Sequence, residues 1–413
     1  MLVKTPTSAL YSFRLTSYFH QQFFASLPML ILAVVGLIDQ QRIINFTKMN
    51  IRSITSFLES LAPLSLQESY DNAGLITGNP DWKCSGIITS LDATEAVIME
   101  AIEKKCNLIV AHHPIIFGGL KKINGKNYVE KTVIAAIKND IAIYAIHTNL
   151  DNVIQGVNGK IADKLGLVNR SILQPKTNTL KKLFCFVPVE FAEKVRNAIF
   201  AAGGGEISDY SECSFNTEGK GTFRPGEGTQ PFSGKIGERK IEDEIKIEVI
   251  FPVWQERNIY AAMIAAHPYE EVAYDIILLE NRQLNIGSGL VGDLTKPIAE
   301  IDFLDQLKQQ FNLSVVRHTP LTGKLVKKVA LCGGAGSFLT GAAISAGADF
   351  YVSSDIKYHE FFDANGRLVI ADIGHYESEQ FTIGLLFDLL SEKFPNFAVL
   401  KTGVKTNPVH YFL

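Results

Sequence analysis

Beyond residue 48 the apolar positions alternate between two periods. Ile51 to Leu61 repeats at helical spacing, with Ser53 as a candidate cap and Pro63 just past the end. Gly86 to Leu91 then reads as a strand, Ala93 to Lys104 as a helix and Asn107 to Ala111 as a strand; Tyr128 to Lys138 is a helix and Ile141 to Ile146 the next strand. Such alternation predicts an α/β fold built on a mainly parallel sheet with helices on its faces. In sheets of that kind ligands bind beyond the carboxyl ends of the strands.

The register changes after residue 178. Lys181 to Pro188 opens a strand, Glu190 to Ala201 a helix, and Gly203 to Gly237 is glycine-rich and polar. A strand (Glu244 to Phe251), a helix (Gln255 to Ala266) and a strand (Val272 to Leu279) follow. This predicts a ferredoxin-like α+β module inserted into the α/β domain. The first style then resumes. Lys328 to Cys332, Asp349 to Ser353 and Arg367 to Asp372 read as strands, Phe338 to Ala346 and Phe381 to Phe394 as helices, and Gly333-Gly334-Ala335-Gly336-Ser337 as a tight turn. That turn lacks the Walker lysine and the full dinucleotide fingerprint, so a plain turn is expected rather than a phosphate cradle. The expected organisation is an extension over 1–48, an α/β domain in two parts, 49–178 and 284–413, and the insert over 179–283.

Residues 1–48 stand apart. Leu15 to Ile38 carries no charged side chain, but its apolar core is short for a membrane span, Pro28 interrupts it, and Ala33-Val34-Val35-Gly36 is a poor cleavage site. The expectation is an extension outside the fold, with Met49 as the start of the folded protein. A formal charge of -3 gives no electrostatic reason to expect nucleic-acid binding. The five cysteines are scattered without a Cys-x-x-Cys, as expected of reduced thiols in a cytoplasmic protein.

Four of the nine histidines fall just past apolar runs. His112-His113-Pro114 closes one, His147-Thr148-Asn149-Leu150-Asp151 another, and His375-Tyr376-Glu377-Ser378-Glu379 the third. His375 and Glu379 are four apart at the start of a helical segment, which places both on one face. His112 and His113, at a strand end, can turn toward different ions, and Glu379 is placed to bridge. His112, His113, Asp151, His375 and Glu379 thus suffice for two divalent ions, and imidazole with carboxylate admits Zn, Fe, Mn, Co or Ni. His147 and His359 are the candidate acid–base groups, His147 as a partner of Asp151 rather than a sixth ligand. His267 has no paired motif and is expected to pack or turn.

These three motifs, with Tyr70-Asp71-Asn72-Ala73-Gly74-Leu75 and Ser90-Leu91-Asp92-Ala93-Thr94, resemble the GTP cyclohydrolase 1 type 2 homologue family, also described as interacting-factor-three-like. The resemblance runs from about Met49 to the C-terminus. It implies a dinuclear site on the same five residues and a homohexameric ring, a trimer of dimers, with the metal sites facing an internal cavity. His267-Pro268-Tyr269-Glu270-Glu271-Val272-Ala273-Tyr274-Asp275 resembles the CutA- or PII-like insert of longer members. The family label implies a metal-dependent hydrolase with a metal-activated water and a nucleotide-like substrate. The alternative is a non-catalytic ring: a metal chaperone or regulatory scaffold.

Overall fold

Leu108, Ile109, Val110 and Ala111 are fully buried, as expected of a strand covered on both faces. In the computed structural model, which describes residues 49–412, their strand (Leu108–His113) is central in a five-stranded sheet. The order across that sheet is Gly74–Thr77, Ala142–Ala145, Leu108–His113, Ile87–Asp92, Val399–Lys401. All pairings are parallel except that of the edge strand Gly74–Thr77. Helices Glu95–Glu103 and Tyr128–Lys138 pack on it through Val97, Ile98, Ala101, Val133 and Ala136. Each helix begins where a side chain accepts an orphan backbone N–H: Thr94 from Val97, and Asn127 from Glu130. Such caps contribute about 1 kcal/mol each.

A single mainly parallel sheet is not what forms. A second sheet of six strands runs Arg317–His318, Val369–Asp372, Phe350–Ser354, Leu325–Ala335, Gly287–Ala299, Val168–Pro175. Only three of its four inner strands, Leu325–Ala335, Phe350–Ser354 and Val369–Asp372, pair in parallel. The long strand Gly287–Ala299 lies antiparallel between Leu325–Ala335 and Val168–Pro175 and joins sequence from both sides of the middle segment. The fold is therefore mixed α/β with several sheets.

The middle segment forms a four-stranded antiparallel sheet, ordered Phe215–Phe223, Lys240–Pro252, Leu180–Pro188, Tyr274–Leu279. Helices Ala192–Ala201 and Glu256–Ala266 cover one face, burying Val195, Ile199, Ile259 and Met263 against Leu183, Cys185, Ile247 and Val249. Strand Phe215–Phe223 falls inside the stretch read as glycine-rich and polar, where the pattern predicts no strand. It carries Gly219 and Gly221 and buries no side chain, so no apolar alternation betrays it. Nine residues pairing with Lys240–Pro252 hold it in place.

Residues 1–48, with the expectations placed on them, lie outside the described residues. Among the described residues no helix is long and apolar enough to cross a membrane. The five cysteines are free, and all but Cys213 are buried.

Candidate metal centre

The strands that carry the histidines end toward one another. Leu108–His113 delivers His112 and His113. Ala142–Ala145 leads to His147 and the helical turn Thr148–Asp151, and Val369–Asp372 leads through Gly374 to the helix His375–Glu379. His112, His113, His147, Asp151, His375 and Glu379 thereby meet at the carboxyl ends of parallel strands from two sheets.

Each imidazole is aimed by an oxygen acceptor behind it. His112 Nδ1 donates to the Ile146 carbonyl (2.8 Å), and His113 Nδ1 to Asp92 Oδ1 (2.7 Å). His147 Nδ1 donates to Asp71 Oδ1 (2.8 Å), and His375 Nδ1 to Asp355 Oδ2 (2.7 Å). These acceptors turn the four Nε2 atoms inward, the arrangement second partners impose on metal-binding histidines. His113 Nε2 lies 2.9 Å and His375 Nε2 3.1 Å from Glu379 Oε2. His112 Nε2 lies 3.6 Å from Asp151 Oδ1 and 3.9 Å from Glu379 Oε1.

Three overlapping groups of donor atoms, each within 4.8 Å of one another, result: His113, His375 and Glu379; His112, Asp151 and Glu379; His112, His113 and His147. Glu379 belongs to two of them, one oxygen toward each. The buried atoms His112 Nε2 and Asp151 Oδ1 have no hydrogen-bond partner. Buried polar atoms left so are costly, and a bound cation would satisfy both. The residues present therefore fit divalent metal, and nitrogen with carboxylate oxygen suits a first-row transition ion.

Charge follows the same geometry. Burial pushes the Asp151 carboxyl up to about 7, with the nearby Glu379 adding to it. Burial would raise Glu379 too, but the close His113 and His375 imidazoles, with His112 nearby, hold it well below the usual carboxylate range. Burial disfavours the charged imidazoles, yet Asp92 with Glu379 raises His113 to about 9, and Asp355 with Glu379 raises His375 to about 11. Without metal, then, both imidazoles carry a proton at neutral pH that an ion must displace. Raising the pH removes that proton, so metal affinity should climb between pH 6 and pH 9, with protons released on loading. Isothermal titration in buffers of different ionisation heat measures the release. An affinity flat across that range would exclude these histidines as ligands.

The structure brings His147 into the cluster but pairs it with Asp71, not Asp151. Thr148 also donates to Asp71 through its N–H and hydroxyl, and although burial opposes it, these partners hold the Asp71 carboxyl at about 2. His359 is not brought in. It is exposed on the turn Tyr358–Ala364, its ring against Tyr358 and Phe362. Asp355, at the start of the same stretch, is the residue that reaches the site, from a left-handed backbone (φ 55°) that Asp tolerates. The glycine run also departs from expectation. Strand Leu325–Ala335 continues through Gly333 and Gly334, whose N–H groups donate to Asn158 and to Ser378. Those two N–H groups are therefore engaged within the protein.

Sequence reasoning missed the supporting carboxylates Asp71, Asp92 and Asp355. Asp92 stands opposite His113 in the register of two adjacent parallel strands, a relation that needs the sheet to be seen. Asp92→Asn should lower metal affinity by about ten- to a hundredfold while leaving the ligand set intact. Competition with a chromophoric chelator measures this; an unchanged affinity would show that Asp92 does not aim His113.

A cavity of about 630 Å³ opens on the cluster, its wall including Tyr70, Phe117, Tyr128 and Phe338. All four aromatic side chains are exposed. Residues 49–408 match the Duf34/NIF3 (NGG1p interacting factor 3) family. The chain belongs to that family. Among its relatives, proteins called GTP cyclohydrolase 1 type 2 homolog from Halalkalibacterium halodurans and Bacillus subtilis are 39% and 37% identical to this NIF3-family chain over 364 residues. Each alignment covers 87% of this chain and 98% of the relative. The crystal structure of a Bacillus cereus protein related to NIF3 superposes with a TM-score of 0.77 at 38% identity, covering 88% of this chain and all (100%) of that one. A Staphylococcus aureus structure gives 0.70 at 28% identity, covering 88% and 99%.

Proposed function

We propose that this chain is a metal-dependent hydrolase holding two divalent ions on His112, His113, Asp151, His375 and Glu379, with His147 beside them. One observation carries the proposal. Four imidazoles, each locked through Nδ1, converge with the buried Glu379 and the part-buried Asp151 at a cavity large enough for a small molecule. Bound ions would supply Lewis acidity and lower the pKa of a water at the site.

The chain's own residues do the rest. Glu379 and Asp151 bring the negative charge that two cations require, and Glu379 spans the two donor groups. His147, held by Asp71 and packed edge-on against Phe117, presents Nε2 to the cavity and is placed to pass a proton to a leaving group. The exposed rings of Tyr70, Phe117, Tyr128 and Phe338 suit a flat, nucleotide-like substrate, in keeping with the cyclohydrolase name of the relatives. The βαββαβ connectivity of the middle segment supports its assignment as a ferredoxin-like, CutA- or PII-like insert over 179–283. The working assembly is proposed as a homohexameric ring in the cytoplasm.

Purified, metal-quantified protein incubated with GTP and followed by mass spectrometry tests the reading. Ring-opened product that depends on metal, and is absent with Glu379→Ala, is expected. No product from fully loaded protein would discard GTP as substrate.

A further inference from the structure

The His267-Pro268-Tyr269-Glu270-Glu271 stretch takes no part in the metal cluster, yet it builds a second cavity. We infer that the middle segment carries its own small-molecule site, for a flat, cationic, N–H-donating ligand of the aromatic amidine or guanidine class, read by the Glu244 carboxylate and stacked against Phe223, Phe232 and Tyr269.

The cavity measures about 610 Å³ and is lined only by residues between 186 and 273. It lies on the face of the antiparallel sheet opposite the helices. Ile247, Val249 and Phe251 of strand Lys240–Pro252 face the helical core, so Glu244 and Lys246 alternate onto the other face. A carboxylate there should be exposed, but Glu244 retains only 9% of its accessible surface. Tyr269 donates its hydroxyl to Glu244 Oε1 (2.9 Å). Oε2 has no hydrogen-bond partner among the described residues. Oε2 is open to the cavity, so a cationic donor bound there would meet a carboxylate that is otherwise little exposed.

Three features read as construction of a site. Gly219, Gly221 and Phe223 share one face of strand Phe215–Phe223. A Cβ at Gly221 would fall 2.1 Å from Glu244 Oε2, and one at Gly219 would enter open space. Glycine in a strand marks a close approach, here by the carboxylate and the cavity. Next, the segment after Phe223 folds over the pocket: Gln230 N donates to both oxygens of Glu270 (2.9 and 3.1 Å), and Ser233 to Glu242 (2.6 Å). This places the Phe232 ring 6.0 Å from that of Tyr269, with Phe223 also at 6.0 Å. Last, His267 is a positioning residue. Its Nδ1 accepts the Tyr269 N–H (3.1 Å) and its Nε2 donates to the Phe186 carbonyl (3.0 Å). Burial holds its pKa down, so it stays neutral and locks the turn carrying Tyr269 and Glu270.

Charge selects the ligand's sign. Two cations in the lining are already engaged, Lys220 by Asp243 (2.6 Å) and Lys246 by Glu248 (2.7 Å). Arg224 is exposed at the rim, while Glu218, Glu244 and Glu271 have no ion pair among the described residues. An anion would meet unpaired carboxylate; a planar cation would meet it with aromatic faces alongside, which adds a cation–π contribution.

The test titrates full-length, metal-loaded protein with benzamidine, benzamide and benzoate by ligand-observed NMR. Benzamidine should bind in the millimolar range or tighter, benzamide at least tenfold more weakly, and benzoate not at all. Glu244→Gln should weaken benzamidine about tenfold without changing metal content. Phe232→Ala removes a ring that is 46% exposed, so its folding is safe, and should weaken binding by a similar factor. Absence of benzamidine binding, equal binding of benzoate, or full affinity in both variants would overturn the site.

Discussion

Glu379→Ala should leave the protein almost without metal, because one side chain serves two donor groups. Its Oε2 faces His113 and His375 at 2.9 and 3.1 Å, and its Oε1 faces His112 at 3.9 Å. Removing a partner that merely aims a ligand costs about ten- to a hundredfold in affinity, and loss of a shared ligand should exceed the upper figure at both positions. Glu379→Gln separates the causes. It keeps the side-chain volume in a fully packed setting but loses the charge that a bound cation would need. Metal content by elemental analysis, with molecular mass by light scattering, gives the readout. Metal lost while the parent's molecular mass persists fits the hydrolase reading; a fall in mass along with the metal fits the scaffold alternative. A Glu379→Ala protein that still carried the parental metal load would remove Glu379 from the site.

Gly334→Ala should disable the same centre from behind. Gly334 sits in strand Leu325–Ala335 with φ at 65°, and a Cβ there would lie 2.4 Å from Glu379 Oε1. The left-handed backbone alone costs a residue other than glycine about 1–2 kcal/mol. The clash adds a displacement of Glu379 that the backbone cannot absorb without giving up the Gly334 N–H to Ser378 hydrogen bond (3.1 Å). Gly366→Ala is the matched control, since Gly366 has φ at 64° and open space where its Cβ would go. The two variants should lose similar thermal stability, while only Gly334→Ala should lose metal, by tenfold or more in affinity. Equal metal affinity in both would show that the glycine answers to backbone shape and not to Glu379.

The two variants also mark where sequence reading stops. His375 and Glu379 are legible as a pair because four residues along a helix is a geometric statement in one dimension. Gly334 is not legible in that way. A glycine run between strand and helix suggests a turn or an anion cradle, and only the crossing of the strand Leu325–Ala335 behind the helix His375–Glu379 shows that a carboxylate occupies the space. His359 and Asp355 make the same point within five residues. The type that attracts attention, the histidine, turns outward beside Tyr358 and Phe362, and the plain aspartate turns in to His375.

Local pattern by itself determined the alternation of helices and strands, the histidine and carboxylate pairs at strand ends, and the change of register over the middle segment. These depend on spacing along the chain, where one side chain's neighbours three, four or two positions away decide its face. Tertiary structure alone decided that two sheets form instead of one, that Phe215–Phe223 is a strand, and that Asp71, Asp92 and Asp355 stand behind His147, His113 and His375. Each of those depends on strands pairing across long separations, as Gly287–Ala299 does with Val168–Pro175. The free energy of such pairing is set by the partner surface, and no short window of sequence contains it.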